Sequence, residues 1–333
     1  MRVKHYLFLT MICWALIACQ SSSDCFQEDV FCAALVTDTQ GIDDHGVNAD
    51  AWAGLQQAQA EGLANRVEYI DSIDARDYSK NIAYFAERGF DVIFTSGISL
   101  DDETLQNADL YPDSVFVGLN QALAESRPNL ISITFPEDQM GFAAGVLAAR
   151  ITKTQIVAAV CETSGIDSMW RYCEGFRAGV KSVNKDVKTL VIYRENGDRE
   201  KLFLDESWGF ETGADLIQRG ADVLFSAGGV TGQGALKVAA ANGVYAIGTE
   251  RDQAAALGES GSSVVTSFYG QTRFEVREVM RLVQAGQMGA ERTGRVQFVP
   301  LNPVFPPEFG LELDALVTAL GRGELLTNVT KLR

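Results

Sequence analysis

The stretch Arg88–Gly97, RGFDVIFTSG, decides the fold, because it returns 131 residues later as Arg219–Gly228, RGADVLFSAG. In each copy a glycine closes a helix by taking the left-handed cap conformation, and an aspartate suits the turn that follows. The run VIFTS or VLFSA is apolar enough to be a strand covered on both faces, and a second glycine marks its passage into a loop. A period this long is no solenoid repeat. It predicts two similar α/β lobes facing each other. Turn chemistry by itself drives helix–turn–strand units towards such strings; even on that reading, two lobes remain the best use of so many alternating elements.

Working outward, short β-branched and aromatic runs alternate with helix-period segments from residue 31 onward. The expected strands are 31–37, 67–70, 92–96, 115–119, 130–135, 156–161, 189–193, 223–227, 244–248, 264–268 and 296–300. Tyr78, Ile82 and Phe85 form one stripe of a helix over 75–88 that Gly89 stops. Near-continuous apolar strands separated by helices imply a parallel, doubly wound α/β sheet. Ligands of such sheets sit outside the carboxyl ends of the strands. The loops after 31–37, 92–96, 115–119, 156–161, 223–227 and 244–248 therefore carry the function.

At 333 residues and 47% apolar composition the chain can bury a sizeable core, and its length suggests about two domains. The net charge of −16 argues against nucleic acid as a partner, since neutralising phosphates needs a basic face. Arg2 and Lys4, the apolar run Tyr6–Ala18 and the sequence Leu16-Ile17-Ala18-Cys19 read as a secretory signal peptide, residues 1–18, too short for a transmembrane span. LIAC resembles a bacterial lipobox, in which Cys19 becomes an acylated N-terminus on a polar tether reaching to about residue 30; the alternative is an ordinary signal peptide with an incidental cysteine. Multiple acyl chains would give stable anchoring. Processing leaves 26 basic side chains against 44 acidic ones, a net charge of −18. It also leaves Cys25, Cys32, Cys161 and Cys173, an even number in an oxidising compartment. Of the three possible connectivities we favour the local pairs Cys25–Cys32 and Cys161–Cys173, each near an element boundary. A zinc site fails on spacing, with no C-x2-C and two histidines, one of them in the signal.

The first functional loop, Thr37–Asn48 or TDTQGIDDHGVN, invites a metal or phosphate reading. Counted from Asp38, a calcium loop would need glycine where Asp43 stands and glutamate where Ala49 stands. There is no G-x-x-x-x-G-K-[ST], and GGVTGQG at Gly228–Gly234 lacks the dinucleotide order, although its glycines can offer backbone N–H groups at a helix start. A catalytic triad lacks its base, since His45 is the one histidine left after processing and no G-x-S-x-G elbow accompanies it. Three aspartates in the loop suit a neutral polyhydroxylated ligand, because carboxylates accept hydrogen bonds from paired hydroxyls. No metal, cofactor or catalytic residue is expected. Asp43 and Asp44 suit capping of the helix that enters at about Val47.

CAALVTDTQGIDDHGVNADAWAGL at residues 32–55 resembles the signature of the basic membrane protein/Med family of bacterial lipoproteins, among them purine nucleoside receptors of ABC importers. The same order continues through DYSKNIAYFAERGFDVIFTSG, NLISITFPEDQMGFAAGVLAA, CEGFRAGVKSVNKDVKTLVIY, RGADVLFSAGGVTGQGAL, YAIGTERDQ and VVTSFYGQTRFEV, about residues 31–325 in all. The resemblance implies a periplasmic-binding-protein type I fold. Its N-terminal lobe would be 31–134 plus about 250–292 and its C-terminal lobe 135–249 plus about 293–333, with several hinge crossings between them. It further implies a lipid-anchored receptor, exported to the outer face of a cell membrane, which closes its lobes on a small nucleoside-like ligand and passes it to ABC permease subunits. The same fold with a non-nucleoside ligand, a sensor without transport, and a surface nucleoside or glycoside hydrolase are the alternatives.

Carried over by position, the resemblance implies that Asp38 and Asn48 contact the ligand, with Val47 standing where relatives place an aromatic ring. Asn120 replaces an aspartate that contacts the base, and Glu250 replaces a ribose-binding aspartate. A family lysine falls near Gly270. Phe203 is the candidate second stacking ring, with Trp208 competing for the role. Gly228 and Gly229 match the family's glycines. From their place at a helix start, Trp170 and Arg171 either line the cleft or face solvent.

Overall fold

The computed structural model describes residues 24–123, 125–287 and 291–332; the expected signal peptide and Cys19 lie outside them. The first lobe opens with β1 (Cys32–Thr37), α1 (Val47–Ala60), β2 (Arg66–Asp71), α2 (Tyr78–Ala86), β3 (Val92–Ser96), α3 (Asp101–Leu110), β4 (Val115–Leu119) and β5 (Leu130–Thr134). The second comprises α4 (Glu137–Ile151), β6 (Ile156–Cys161), α5 (Asp167–Val183), β7 (Lys188–Tyr193), α6 (Glu206–Gln218), β8 (Val223–Ala227), α7 (Gly229–Asn242), β9 (Tyr245–Thr249), α8 (Gln253–Leu257) and β10 (Val264–Gly270). The chain then returns through α9 (Thr272–Gln284) and β11 (Arg292–Thr293) to the first lobe, and ends in the second with β12 (Val296–Phe298) and α10 (Pro307–Gly321).

The strands form two six-stranded sheets of matching order, β11-β5-β4-β3-β1-β2 and β12-β10-β9-β8-β6-β7. All pairs are parallel except β10 with β12. Every residue of the central strands β1, β3 and β8 is buried, whereas β2 and β7 at the edges are half-exposed, as sheets covered on both faces require. Leu55 of α1 and Val276 and Val279 of α9 cover one face of the first sheet; Ile82 and Phe85 of α2 cover the other. On the second sheet, α4 and α5 lie on one side and α6 and α7 on the other. The α4–α5 contact depends on glycine: a Cβ at Gly145 would lie 2.1 Å from the Phe176 carbonyl oxygen.

The internal echo of the sequence is also an echo of hydrogen bonds. Asp91 exchanges backbone contact with Cys32, its N–H donating to the Cys32 oxygen at 3.0 Å, and Asp222 does the same with Ile156 at 3.2 Å. The carboxylate of Asp91 accepts from the Cys32 N–H, and that of Asp222 from the N–H groups of Lys153 and Thr154. Each aspartate thus fastens the turn before its strand to the start of the neighbouring strand. Cys25 is bonded to Cys32, and Cys161 to Cys173, with Cα separations of 5.7 and 6.5 Å.

One boundary is corrected. The sequence reading gave about 250–292 to the first lobe, but β10 pairs in parallel with β9 and so completes the second sheet; only from α9 does the chain rejoin the first. Strand β11, too short to show a pattern, was missed. The chain therefore crosses between lobes at 134–137, 270–272 and 293–296. The crossings are packed on one another: the Gln271 N–H donates to the Arg295 oxygen at 2.7 Å, and Gly294 to Thr134 at 2.8 Å. Phe135, buried, packs against Gly270 and Gly294, where a Cβ on either glycine would sit 2.3 Å from its ring. Gly270 therefore belongs to the hinge. Gly270→Val should push Phe135 out of place and lower the unfolding free energy by about 1–3 kcal/mol, the usual cost of overpacking, measured by urea denaturation.

Candidate ligand-binding cleft

The carboxyl ends of both sheets open onto one cavity of about 300 Å³, at the lower end of the range for small-molecule pockets. Asp38, Val47, Asn48 and Asn120 line it from the first lobe, and Phe203, Gly229 and Glu250 from the second. A wider groove of about 670 Å³ beside α10 has Asp314 as its sole charged lining residue among the described residues and is otherwise lined mainly by proline and apolar side chains.

Asp38 follows β1, its N–H donating to the Ser96 oxygen at the end of β3. Its carboxylate accepts from the Asn48 side-chain amide at 2.9 Å and from the Gln40 N–H at 3.0 Å. The second oxygen lies over Gly97, which has a φ of 109° and whose Cβ would fall 2.9 Å from it. Burial raises the Asp38 pKa above the usual carboxylate range, against the pull of these two hydrogen bonds. Asn48 also donates to the Gly41 oxygen, so both its amide hydrogens are spent on holding the loop. Asp44, buried, accepts from the N–H groups of Gly46, Asn48 and Ala49, and it rather than exposed Asp43 caps α1. Val47 opens that helix and faces the cavity.

Asn120 and Glu250 occupy matching places, each one residue beyond its strand and each in the left-handed region, at φ 58° and 71°. The Asn120 N–H donates to Ile133 of β5, and the Glu250 N–H to Phe268 of β10. The Glu250 carboxylate accepts from the Gly229 N–H, the first of α7, at 3.0 Å. Burial raises its pKa; Arg251 and the Gly229 N–H oppose that, and Glu162 adds to it. This is the helix-start donor expected of the GGVTGQG glycines, but its acceptor is a protein carboxylate. Gly228 lies behind the wall, at φ 126°, where a Cβ would meet Glu162.

Trp170 is the misplaced candidate. Ser168 and Met169 line the cavity, but the next residue on α5 turns away: its indole N–H donates to the Thr330 oxygen and its ring stacks on Tyr193. Arg171 is bound to Glu137 and Asp138 near the hinge. Trp208, on α6, is half-buried against the core of the second lobe and does not line the cavity, which leaves Phe203 as the aromatic wall on that lobe's side. Arg251, Tyr78, Ile98, Leu202 and Leu204 line the cavity without having been singled out. Apart from Tyr78, which heads α2, their signal was loop position: Ile98 follows the glycine ending β3, and Arg251 lies inside GTERDQ.

A family model described as ABC transporter substrate-binding protein PnrA-like, Bmp, matches residues 31–281. The chain belongs to the Bmp family. Among its relatives, the ABC transporter nucleoside-binding protein BmpA of Lactococcus lactis subsp. cremoris is 31% identical over 66% of this chain and 64% of its own length. The CD4+ T-cell-stimulating antigen of Listeria monocytogenes is 32% identical over 71% of this chain and 69% of its own. Among solved structures, an ABC transporter solute-binding protein from Conexibacter woesei has a TM-score of 0.71 at 24% identity, covering 89% of this chain and 98% of that one. A transcriptional activator of the comK gene from Bacillus halodurans has a TM-score of 0.69 at 20% identity, with coverage of 89% and 99%. At such identities these structures share the two-lobed fold of periplasmic binding proteins.

In this Bmp-family chain the aromatic wall rests on a buried knot of charge. Arg194, after β7, donates to Glu162 at 2.9 Å, to Asp205 at 3.1 Å and to the Asp198 oxygen at 3.0 Å. Glu162 is 0% exposed and Arg194 4%. The loop between Asp198 and Asp205 is thereby tied down at both ends, and Phe203, at φ 63°, is held further by N–H donors of Val230 and Thr231 to its carbonyl. Arg194→Met leaves Glu162 buried without its partner, and should cost about 3–5 kcal/mol in chemical denaturation, part of which a second change, Glu162→Met, restores.

Proposed function

We propose that this chain is the lipid-anchored solute-binding protein of an ABC importer and that it takes a nucleoside, a purine nucleoside first, by closure of two lobes. The observation that carries the reading is one cavity with a carboxylate from each lobe, Asp38 and Glu250, beside the ring of Phe203. Ionised carboxylates accept the hydroxyls of a ribose, and a ring wall suits a flat base. The name of the Lactococcus relative, a nucleoside-binding protein, supports the ligand class, and an uncharacterized lipoprotein of Pyrococcus furiosus, 28% identical over 60% of this chain, supports the anchor. Nothing is catalysed on this reading; the cleft binds and releases, with hinge closure at the three crossings.

A different small ligand in the same cleft is the second reading. Val47 favours it, because an aliphatic side chain lines the cavity at the position where the resemblance implies an aromatic ring. A sensor without transport uses the same geometry, as the fold shared with a transcriptional activator illustrates.

Calorimetry with purine and pyrimidine nucleosides, sugars and inositols decides between ligands: saturable binding of a nucleoside is expected, and binding of sugars alone would move the assignment to the second reading. Asp38→Ala should weaken binding about 10–100-fold, the value of a hydrogen bond to a charged group. Because burial raises Asp38 and Glu250, affinity should be present above their elevated pKa values and be lost as pH falls through them, starting higher than ordinary carboxylates would give. For the anchor, Cys19→Ser should move the protein from the detergent to the aqueous phase in a Triton X-114 partition of whole cells.

A further inference from the structure

On one side of the cavity the two lobes are fastened together away from the hinge. Arg251, the second residue after β9, extends from the second lobe into the β1–α1 loop of the first. Its Nη1 donates to the Asp44 oxygen at 2.9 Å and its Nη2 to the Gln40 side-chain oxygen. Next to it, the Asp252 N–H donates to the His45 oxygen at 3.0 Å. The approach is close because residue 46 is glycine: a Cβ there would lie 2.7 Å from the Arg251 Cβ and 3.2 Å from the Glu250 carbonyl oxygen. Both sides spend backbone strain on the meeting, with His45 at φ 54° and Glu250 at φ 71°.

The Arg251 Nε is buried without a hydrogen-bond partner, so the guanidinium is not placed to satisfy itself within its own lobe; its reach serves the crossing. Arg251 and Gln40 also line the cavity, and the Arg251 charge favours the ionised forms of Asp38 in one lobe and Glu250 in the other. A single side chain therefore lines the cavity, acts electrostatically on both its carboxylates and bonds to the opposite lobe.

We infer that Arg251 is a retention latch, a cavity residue whose bonds to Asp44 and Gln40 hold the lobes shut and set how long the ligand stays. The inference rests on the reading of this cavity as a ligand site, but the latch can be tested without the ligand. Closure forms the bonds and opening must break them, so the latch slows release and leaves capture nearly unchanged.

The test measures interlobe distance by double electron–electron resonance between spin labels at Lys80→Cys in α2 and Glu211→Cys in α6, in a Cys19→Ser background with both disulfides intact. The ligand-free protein should show a short-distance component that Arg251→Ala and, independently, Gly46→Val each remove; Gly46→Val keeps the Arg251 charge and obstructs the approach. Arg251→Lys keeps the charge beside both carboxylates but not the two-pronged reach, and should behave as Arg251→Ala. A ligand-free protein without the short component, a distribution unchanged in both of the first two variants, or a wild-type distribution in Arg251→Lys would overturn the latch. With inosine as probe in stopped flow, Arg251→Ala should release about tenfold faster at a similar association rate; an equal release rate would also overturn it. Failure of the unlatched and latched proteins alike to bind any nucleoside would count against the nucleoside reading, and the distances would still judge the latch.

Discussion

The packing of Phe135 against the bare backbone of Gly270 and Gly294 governs how the rest of the molecule is arranged. Two sheets of the same topology do not by themselves make a cleft; their carboxyl ends must point at each other. Three chain crossings set that relation, two running from the first lobe to the second and one running back, and such segments would slide on one another without a wedge. A ring seated where two Cβ atoms would otherwise lie gives the crossings one register, and the backbone bonds from Gln271 to Arg295 and from Gly294 to Thr134 fix it. Gly270, the position near which the family resemblance implies a lysine, thus belongs to the hinge.

The two lobes repeat each other more closely in their loops than their sequences suggest, and they use the repetition differently. Asp38 after β1 and Glu162 after β6 both receive support from the end of the adjacent strand, at Ser96 and Ala227, and both lie against a glycine of positive φ, Gly97 and Gly228. Asp38 faces the cavity. Glu162 is turned to Arg194 and is consumed in the knot that carries Phe203. The second lobe gives up one possible ligand contact and gains a fixed aromatic wall. A buried ion pair is a poor source of net stability, since desolvation offsets its attraction, but it does penalise every arrangement that separates the partners. Its use here is to position.

Much of the fold was legible because it depends on short-range signals. The strand runs, the helix over 75–88 and the turn aspartates and glycines of RGFDVIFTSG and RGADVLFSAG are local statements about burial, left-handed backbone and turn chemistry, and the structure has a strand in each of the eleven places expected. The assignment of β10 failed because lobe membership is decided by which strand a strand bonds to, and no local pattern records that. Trp170 failed for a similar reason. Its sequence neighbours Ser168 and Met169 do face the cavity, but helix periodicity turns each successive side chain by about 100°, and only the direction of α5 says which of them looks inward.

The sequence by itself determined the class of fold, the two-lobe plan, the loops that carry function and the family, because periodicity, turn residues and motif order are properties of neighbouring positions. It also marked Asp38, Glu250 and Phe203 as residues to watch. Only the tertiary structure decided that these three share one cavity, that Asp44 is spent on capping α1, that Glu162 and Arg194 form a buried pair 32 residues apart, and that Arg251 reaches a loop more than two hundred residues away. Those are meetings between distant strand ends. They are set by the sheet order and the stacking of three crossings, which no stretch of sequence contains.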